Sequence, residues 1–417
     1  MHRRGEPLTD RDGVLVNNQD RVAERPPTPV APDRPESSQP EPRSGRRWRR
    51  LRIGLVLTAS VGWLLYVLLH RLLSGRTPLW APFDLMPPIA FIGIPVVLAA
   101  LIPLVRPFHW RWLPIPVVAG LVGAGLSGIN LATLWYTPPA APPGAITVVA
   151  WNTEFWDQDW RGDGGHRADF YEFLHRLDAD VYLLSEYLYS AGGDAMDGKF
   201  TGDMAVRIDT SARLAREFPG YQVAVAGEQI TLSRLPIVSY HGLDLRGWVP
   251  AEQREIPADM RDFPDSYTTE TLRTDIRLNG TVVSFYNTQI LQPPLDWHLY
   301  RRASRDSNRW KYDRREASYR ALRADIEANH NPVVLAGDLN TSPAMGILRL
   351  LPGKLVDHTR ALSSLYPTTW LAGEFELWRL DRLLTTADLT VHRYELLDAD
   401  GQSDHRPQRT VISLSTD

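Results

Sequence analysis

Long uncharged apolar stretches fill the first third of the chain, and short β-branched runs broken by polar residues fill the rest. Residues 53–69, 85–105 and 112–136 contain no charged side chain and are 17, 21 and 25 residues long. A helix needs about 20 mostly apolar residues to cross about 30 Å of hydrocarbon. The pattern predicts three membrane-spanning helices, at 53–73, 85–105 and 112–136, within a region 51–137. Pro87, Pro88, Pro95 and Pro103 predict a bent second helix. Gly120, Ala124 and Gly128 place a ridge of small residues on the third. That ridge reads as packing inside a three-helix bundle, with a homodimer seam as the alternative. With no Asp, Glu, Lys or Arg inside the runs 53–69, 85–105 and 112–136, the equipment of a transport path is missing.

From residue 146 the pattern changes. Runs at 146–150, 181–184, 221–226, 229–232, 282–286, 333–336, 380–385 and 410–414 are short, mostly β-branched and bounded by Gly, Pro, Asp or Asn, as strands are. Phe170, Phe173, Leu174 and Leu177 recur with a helical period, as do Tyr319, Leu322 and Ile326. Several strands follow one another with no helix between them. This excludes a simple doubly wound parallel sheet and predicts an α/β fold for 146–417, a two-sheet α/β sandwich with helices outside.

Charge sharpens the division. The chain has 417 residues and no Cys, which excludes a disulfide framework, a Cys-ligated zinc and a thiol nucleophile. Residues 1–50 carry 11 Arg, 8 acids and eight Pro, residues 51–145 carry 5 Arg and one acid, Asp84, and residues 146–417 carry 30 basic and 40 acidic groups. Residues 1–50 therefore read as a disordered, Pro-rich basic tail. The tail ends in Arg46, Arg47, Arg49 and Arg50 around Trp48, and the apolar run that follows makes this a membrane flank rather than a nucleic-acid patch. Arg106 and Arg111 fall on the same side of the predicted spans, and Arg71 and Arg76 on the other. The bias predicts a multi-pass protein of the cell membrane, with a cytoplasmic tail and an extracytoplasmic back domain. Pro138, Pro139, Pro142 and Pro143 predict a stiff linker over 138–145.

Polar residues recur at the strand ends. Asn152 closes the first strand, Glu186 follows 182–184, Asp338 and Asn340 follow 333–337, and Asp404 and His405 precede the last strand. Singly, a strand-end Asn or Asp is a turn residue, and Glu186 is a loop charge. Asp381 differs, because an acid inside a buried strand requires a partner, and His405 is available. Together they amount to carboxylates for a hard metal, an Asp near neutral amides, and an Asp–His couple. Phosphoester hydrolysis uses such a set. A divalent ion neutralises phosphoryl charge, Mg²⁺ takes oxygen ligands, and positioned donors hold the non-bridging oxygens.

The chain resembles the endonuclease/exonuclease/phosphatase superfamily, with its DNase I-like fold, over about residues 146–414. The matching motifs are "VVAWNTE" at Asn152, "ADVYLLSE" at Glu186, "LSRLPI" from Ser233 to Ile237, "VVSFYNTQI" at Asn287, "NPVVLAGDLNTSP" at Asp338 and Asn340, "TTW" with "RLDRLL" at Asp381, and "SDHRP" at Asp404 and His405. The resemblance is to a membrane-anchored, bacterial-type member. It implies that Glu186 is the main metal ligand, with Asn152 and Asp404 nearby, for Mg²⁺ or alternatively Mn²⁺. It implies that Asp338 orients or deprotonates water, that Asn340 positions water or phosphate, and that His405, bonded to Asp381, contacts the phosphoryl group. Whether Asp338 or the Asp381–His405 pair is the base stays open.

One departure concerns Gln289, where many members carry His. Gln donates a hydrogen bond but is no acid near neutral pH. Tyr286 and His298 lie nearby in sequence as substitutes, and His241 reads as a surface residue. A second distinctive region is 291–315, in which Trp297, Tyr300, Trp310 and Tyr312 interleave with Arg301, Arg302, Arg305, Arg309, Lys311, Arg314 and Arg315. It reads as a solvated amphipathic helix, or as a grip for nucleic acid or anionic headgroups. The implied activity is a membrane-tethered phosphoesterase acting on lipid headgroups, nucleic acid or small phosphates, with the bilayer as its partner. The alternative is a catalytically weak surface binding module.

Overall fold

A computed structural model describes residues 43–104, 110–159, 164–190 and 205–415. Of the disorder expected of residues 1–50, residues 1–42 lie outside the described residues, as does Arg106 of the charge count, while residues 43–50 are instead helical, as the start of α1.

The chain begins with α1 (Arg43–Leu73), α2 (Ala90–Leu101) and α3 (Pro114–Gly123). Among the described residues, one helix is long and apolar enough to cross a membrane, over Leu51–Leu73 within α1. This corrects the expectation of three spans. At 1.5 Å per residue, the 12 residues of α2 reach about 18 Å, well short of the hydrocarbon thickness. Prolines explain the shortening: Pro87 and Pro88 precede α2 and Pro103 follows it. The third run stops being α-helical at Gly123 and continues as a short 3₁₀ turn, Ala124–Leu126. Apolar length alone did not set helix length. The small-residue ridge is interrupted by the same break. A Cβ on Gly120 would lie 3.3 Å from Pro95, while Gly128, at φ +73°, faces Pro343, Pro88 and Tyr366.

The described strands beyond the linker are β1 (Ile146–Asn152), β2 (Val181–Ser185), β3 (Tyr189–Ser190), β4 (Ala205–Val206), β5 (Gln222–Ala226), β6 (Gln229–Ser233), β7 (Ile237–Asp244), β8 (Thr269–Leu278), β9 (Thr281–Gln289), β10 (Val333–Asp338), β11 (Val356–Asp357), β12 (Trp370–Ala372), β13 (Phe375–Trp378), β14 (Asp381–Thr385), β15 (Leu389–Leu396) and β16 (Gln408–Leu414), of which β3 with β4 and β12 with β13 form small two-stranded sheets of their own. The helices among them are α4 (Phe170–Leu177), α5 (Ser211–Glu217), α6 (Pro264–Thr268) and α7 (Arg302–Ala328). Two six-stranded sheets form, β15-β16-β1-β2-β6-β5 and β11-β14-β10-β9-β8-β7. Each has a parallel central pair, β1 with β2 and β9 with β10, flanked by antiparallel neighbours.

Period-2 alternation divides each central strand between two cores. Val148, Ala150, Val181 and Leu183 meet Val283, Phe285, Val334 and Ala336 between the sheets. The opposite faces carry Val149, Trp151, Tyr182 and Leu184 against Phe170, Phe173, Leu174 and Leu177 of α4. On the second sheet Tyr286 and Leu335 meet Leu322 and Ile326 of α7. Since both parallel pairs point the same way, their carboxyl ends share one edge of the sandwich.

The end of α1 packs on the sandwich just beyond Asn340. The His70 ring Nε2 lies 2.9 Å from the Ala344 carbonyl, and Gly346 N–H donates to Ser74 Oγ at 2.7 Å. Arg349 and Tyr312 donate to the Gly75 carbonyl. A Cβ on Gly75 or Gly346 would meet backbone of the opposite segment at 2.3 or 2.4 Å, so glycine permits the close approach. The linker lies along the sandwich, with the Pro139 carbonyl 3.1 Å from His392 Nδ1.

Candidate active site

The sheet register brings the strand-end residues together. Asn152 pairs with Ser185, one residue before Glu186. Asp338 is opposite Gln289 on one side and Asp381 on the other. The β12 region bridges His405 through Trp370 and so places His405 over the same edge.

Asn152 links the two sheets. Its Nδ2 donates to Glu186 Oε1 at 3.0 Å and to Asp338 Oδ2 at 3.2 Å. Glu186 has φ +60° and also accepts from Gln289 Nε2 at 2.8 Å and from Phe155 N–H at 3.1 Å. Asp338 accepts from the Asn340 N–H at 2.8 Å and from its Nδ2 at 3.0 Å. That Nδ2 donates as well to the Ile290 carbonyl, and Asn340 has φ +47°, a left-handed conformation that Asn adopts more readily than most residues. His405 Nδ1 lies 2.8 Å from Asp381 Oδ2. Its Nε2 lies 3.7 Å from Asp338 Oδ2 and 3.9 Å from Asp404 Oδ1. The buried imidazole thus sits between two buried aspartates.

Burial and charge set the protonation states. Burial pushes Glu186 up to about 7, with the Asn152 hydrogen bond opposing and Asp404 adding to the rise. Burial likewise raises Asp338 to about 7, against the lowering pull of His405. For His405, burial alone would lower the pKa, but Asp381 and Asp338 outweigh it and hold the ring well above its usual value. His405 is therefore an imidazolium, with Nδ1–H directed at Asp381 and Nε2–H between Asp338 and Asp404.

The donor set fits a hard divalent cation. It is rich in carboxylate and amide oxygens, and the buried Gln289 Oε1 and Asp381 Oδ1 accept no hydrogen bond. Ligand-capable atoms of Asp338, Asp381 and His405 lie within 4.8 Å of one another. Two of these three are already hydrogen-bonded to each other, so the trio is first an aspartate–imidazolium–aspartate line. The Glu186 and Asp404 carboxylates offer the alternative oxygen-rich seat, beside Asn152, which presents Nδ2 to Glu186 while its Oδ1 accepts from the Glu154 N–H at 3.0 Å.

All eight sequence candidates thus meet at this edge, and the residues weighed as substitutes for His do not. Tyr286 is buried against α7 and donates to Asp325 at 2.6 Å. His298 is exposed beside Asp296, and His241 lies near Asp325 on the surface. Sequence reasoning passed over Glu154 and Trp370. Glu154 is buried, and its Oε2 accepts from the Asp404 N–H at 3.2 Å. Trp370 Nε1 donates to Asp404 Oδ2 at 3.0 Å. Both stand inside the motifs quoted above, "VVAWNTE" and "TTW", where an acid two residues after Asn152 was the available signal.

The profile of the Endonuclease/Exonuclease/phosphatase family matches residues 149–405, from the first central strand through the histidine of this site. The chain belongs to that family. No curated protein matches it. Among solved structures, the endonuclease/exonuclease/phosphatase of Beutenbergia cavernae is 18% identical, over 65% of this chain and 72% of its own, with a TM-score of 0.45. A mannosyl-6-phosphatase of Bacteroides thetaiotaomicron is 14% identical, over 64% and 100%, with a TM-score of 0.42. A beta toxin of Staphylococcus aureus is 15% identical, over 64% and 99%, with a TM-score of 0.40.

Proposed function

We propose that this family member is a divalent-metal-dependent phosphoesterase anchored in a bilayer through α1. The observation that carries the reading is the line Asp381–His405–Asp338 lying beside Glu186 and Asn152. Glu186, Asn152 and Asp404 would hold Mg²⁺ or Mn²⁺, which supplies neutralisation of phosphoryl charge and stabilisation of the leaving oxygen. Asp338 accepts the proton of the attacking water, and a carboxylate with a pKa of about 7 is matched to that task near neutrality. Asn340 fixes the Asp338 carboxylate with two donors. His405 donates Nε2–H to a phosphoryl oxygen as charge develops, and Asp381, 2.8 Å from Nδ1, orients the ring and favours its charged form. Gln289 donates to Glu186 and orients it, so its inability to act as an acid does not remove a proton-transfer step.

The basic cluster from Arg43 to Arg50 before Leu51–Leu73, against Arg71 in its last turn and Arg76 after it, supports a cytoplasmic tail and an extracytoplasmic sandwich. The full chain in detergent is expected to hydrolyse bis-p-nitrophenyl phosphate with Mg²⁺ or Mn²⁺, and Asp338→Ala and His405→Ala are expected to abolish turnover. Absence of turnover with every divalent ion tried would overturn the reading in favour of a surface binding module.

A further inference from the structure

Residues 291–301 take no part in the chemistry above, yet they begin inside the site. The chain leaves β9 at Gln289, which touches Glu186, and the next carbonyl, of Ile290, accepts from Asn340. Within eight residues it reaches the helical region, where the Trp297 ring meets Phe83 edge-on at 5.8 Å between centroids. Phe83 lies ten residues beyond the end of α1. The expected amphipathic helix over 291–315 therefore starts late, at Arg302. What precedes it is an irregular segment packed back on α7, through Asn308 Nδ2 to the Asp296 carbonyl and Arg305 to the Leu299 carbonyl.

The outer surface of this segment is unusual for the sandwich. Leu295, Trp297 and Tyr300 are 49, 55 and 75% exposed, and Leu79 and Phe83 extend the apolar surface at the base of α1. Arg301, Arg302 and Arg305 are exposed beside them. Arg302 lies 3.6 Å from the equally solvated Asp306, a pairing of little strength in water. Between residues 291 and 311 there are five basic and two acidic side chains, inside a domain that is otherwise acid-rich. Exposed Trp and Tyr flanked by Arg, level with the end of an apolar helix, match the chemistry of a membrane–water interface. Nucleic acid fits less well, because its affinity rests on extended phosphate neutralisation, and the surrounding domain carries 40 acids against 30 bases.

We propose that Leu295, Trp297 and Tyr300, with Arg301, Arg302 and Arg305, seat on the headgroup layer of the bilayer that holds α1. The site's substrate is then a phosphoester of a lipid headgroup in that same leaflet. The inference rests on the phosphoesterase and anchoring readings above and adds the surface and the substrate class.

Because the chain lacks Cys, one introduced thiol reports one place. The full chain is reconstituted in nanodiscs of phosphatidylcholine with or without phosphatidylglycerol, carrying an environment-sensitive dye at Tyr300→Cys or, at the opposite end of the sandwich, at Arg277→Cys. The dye at position 300 is expected to be shielded from aqueous iodide, more strongly with phosphatidylglycerol, and the dye at 277 to be fully quenched. Equal quenching at both positions would overturn the surface. In unlabelled protein, Trp297→Ala with Tyr300→Ala is expected to lower turnover of nanodisc phospholipid, relative to turnover of bis-p-nitrophenyl phosphate, by about tenfold. Hydrolysis of the soluble diester and of DNA or RNA, but not of any phospholipid, would overturn the substrate class and leave the phosphoesterase reading standing. A wild type inert toward the soluble diester would overturn that reading and the substrate class together, while the dye would still decide the surface.

Discussion

The helical region and the sandwich use the same apolar residues in opposite directions. In the sandwich, Val149, Leu183 and Phe285 are fully buried, whereas in the helices Leu55, Val96 and Leu121 are exposed at 62, 60 and 73%. Charge runs the other way. Residues 51–145 hold one acid, while one edge of the sandwich gathers Glu154, Glu186, Asp338, Asp381 and Asp404. An apolar surface that faces outward is stable where the surroundings are lipid, and a carboxylate that faces inward is held where it serves chemistry. The contrast separates residues that fill a core, residues that present an apolar surface outward, and residues gathered at the site.

The largest effect is expected where buried charge serves chemistry alone. Asp338→Asn should lower kcat/KM on bis-p-nitrophenyl phosphate by about 10⁴-fold. The melting temperature should change little, because Asp381 still pairs with His405 while a carboxylate whose ionisation burial disfavours is replaced by a neutral amide. A matching fall in stability would make Asp338 a structural residue and break the contrast. Asp381→Asn tests the same edge at one remove. With the His405 imidazolium no longer stabilised and oriented by a charged partner, a loss of about 10²-fold or more is expected, together with a lower His405 pKa read by NMR.

Next comes the difference between the two apolar populations. Phe285→Ala, between the sheets, should destabilise the sandwich by about 3–5 kcal/mol. Leu121→Ala, on the outward face of α3, should change stability by about 0.5 kcal/mol or less. Comparable losses in chemical denaturation would mean that the outward face is covered by protein. The junction lies between these extremes. Gly346→Ala drives a Cβ to 2.4 Å from the Ser74 carbonyl and should cost about 1–3 kcal/mol, read as faster hydrogen exchange at Ala344 and Ile347.

The last effect is in pH. Glu186 and Asp338 have folded pKa values of about 7, above those of an unfolded chain. Their contribution to stability in the metal-free protein is complete below about pH 4 and is lost as pH rises through about 7. Divalent cations compete with those protons, so Mn²⁺ affinity measured by calorimetry should weaken about tenfold per pH unit below 7 for each proton displaced. An affinity flat between pH 5.5 and 7.5 would remove Glu186 from the metal seat.

Much of this was legible in sequence where local signals agree. The strands at 146–150, 181–184 and 333–336 are apolar on both faces, because helices cover the outer sides. β7, β8 and β15 were not foreseen, because their faces mix polar and apolar groups: Thr271 and Thr274 are buried in β8, and most of β7 is exposed. Gln289 was visible as a departure, but its bond to Glu186 depends on the register of β9 against β10. The shortness of α2 and α3 depends on where prolines and glycine break an apolar run.

By itself the sequence determined which polar residues close the strands, the two-sheet class, and three apolar runs of which it could not say that one alone, among the described residues, forms a helix long enough to cross a membrane, since composition, period and strand-end position are local properties. The tertiary structure alone decided that the strand ends of both sheets share one edge, that His405 lies between Asp381 and Asp338, and that Trp297 reaches Phe83. Those facts depend on strand order and register, which bring together residues as far apart in the chain as Asn152 and His405 and which no local pattern encodes.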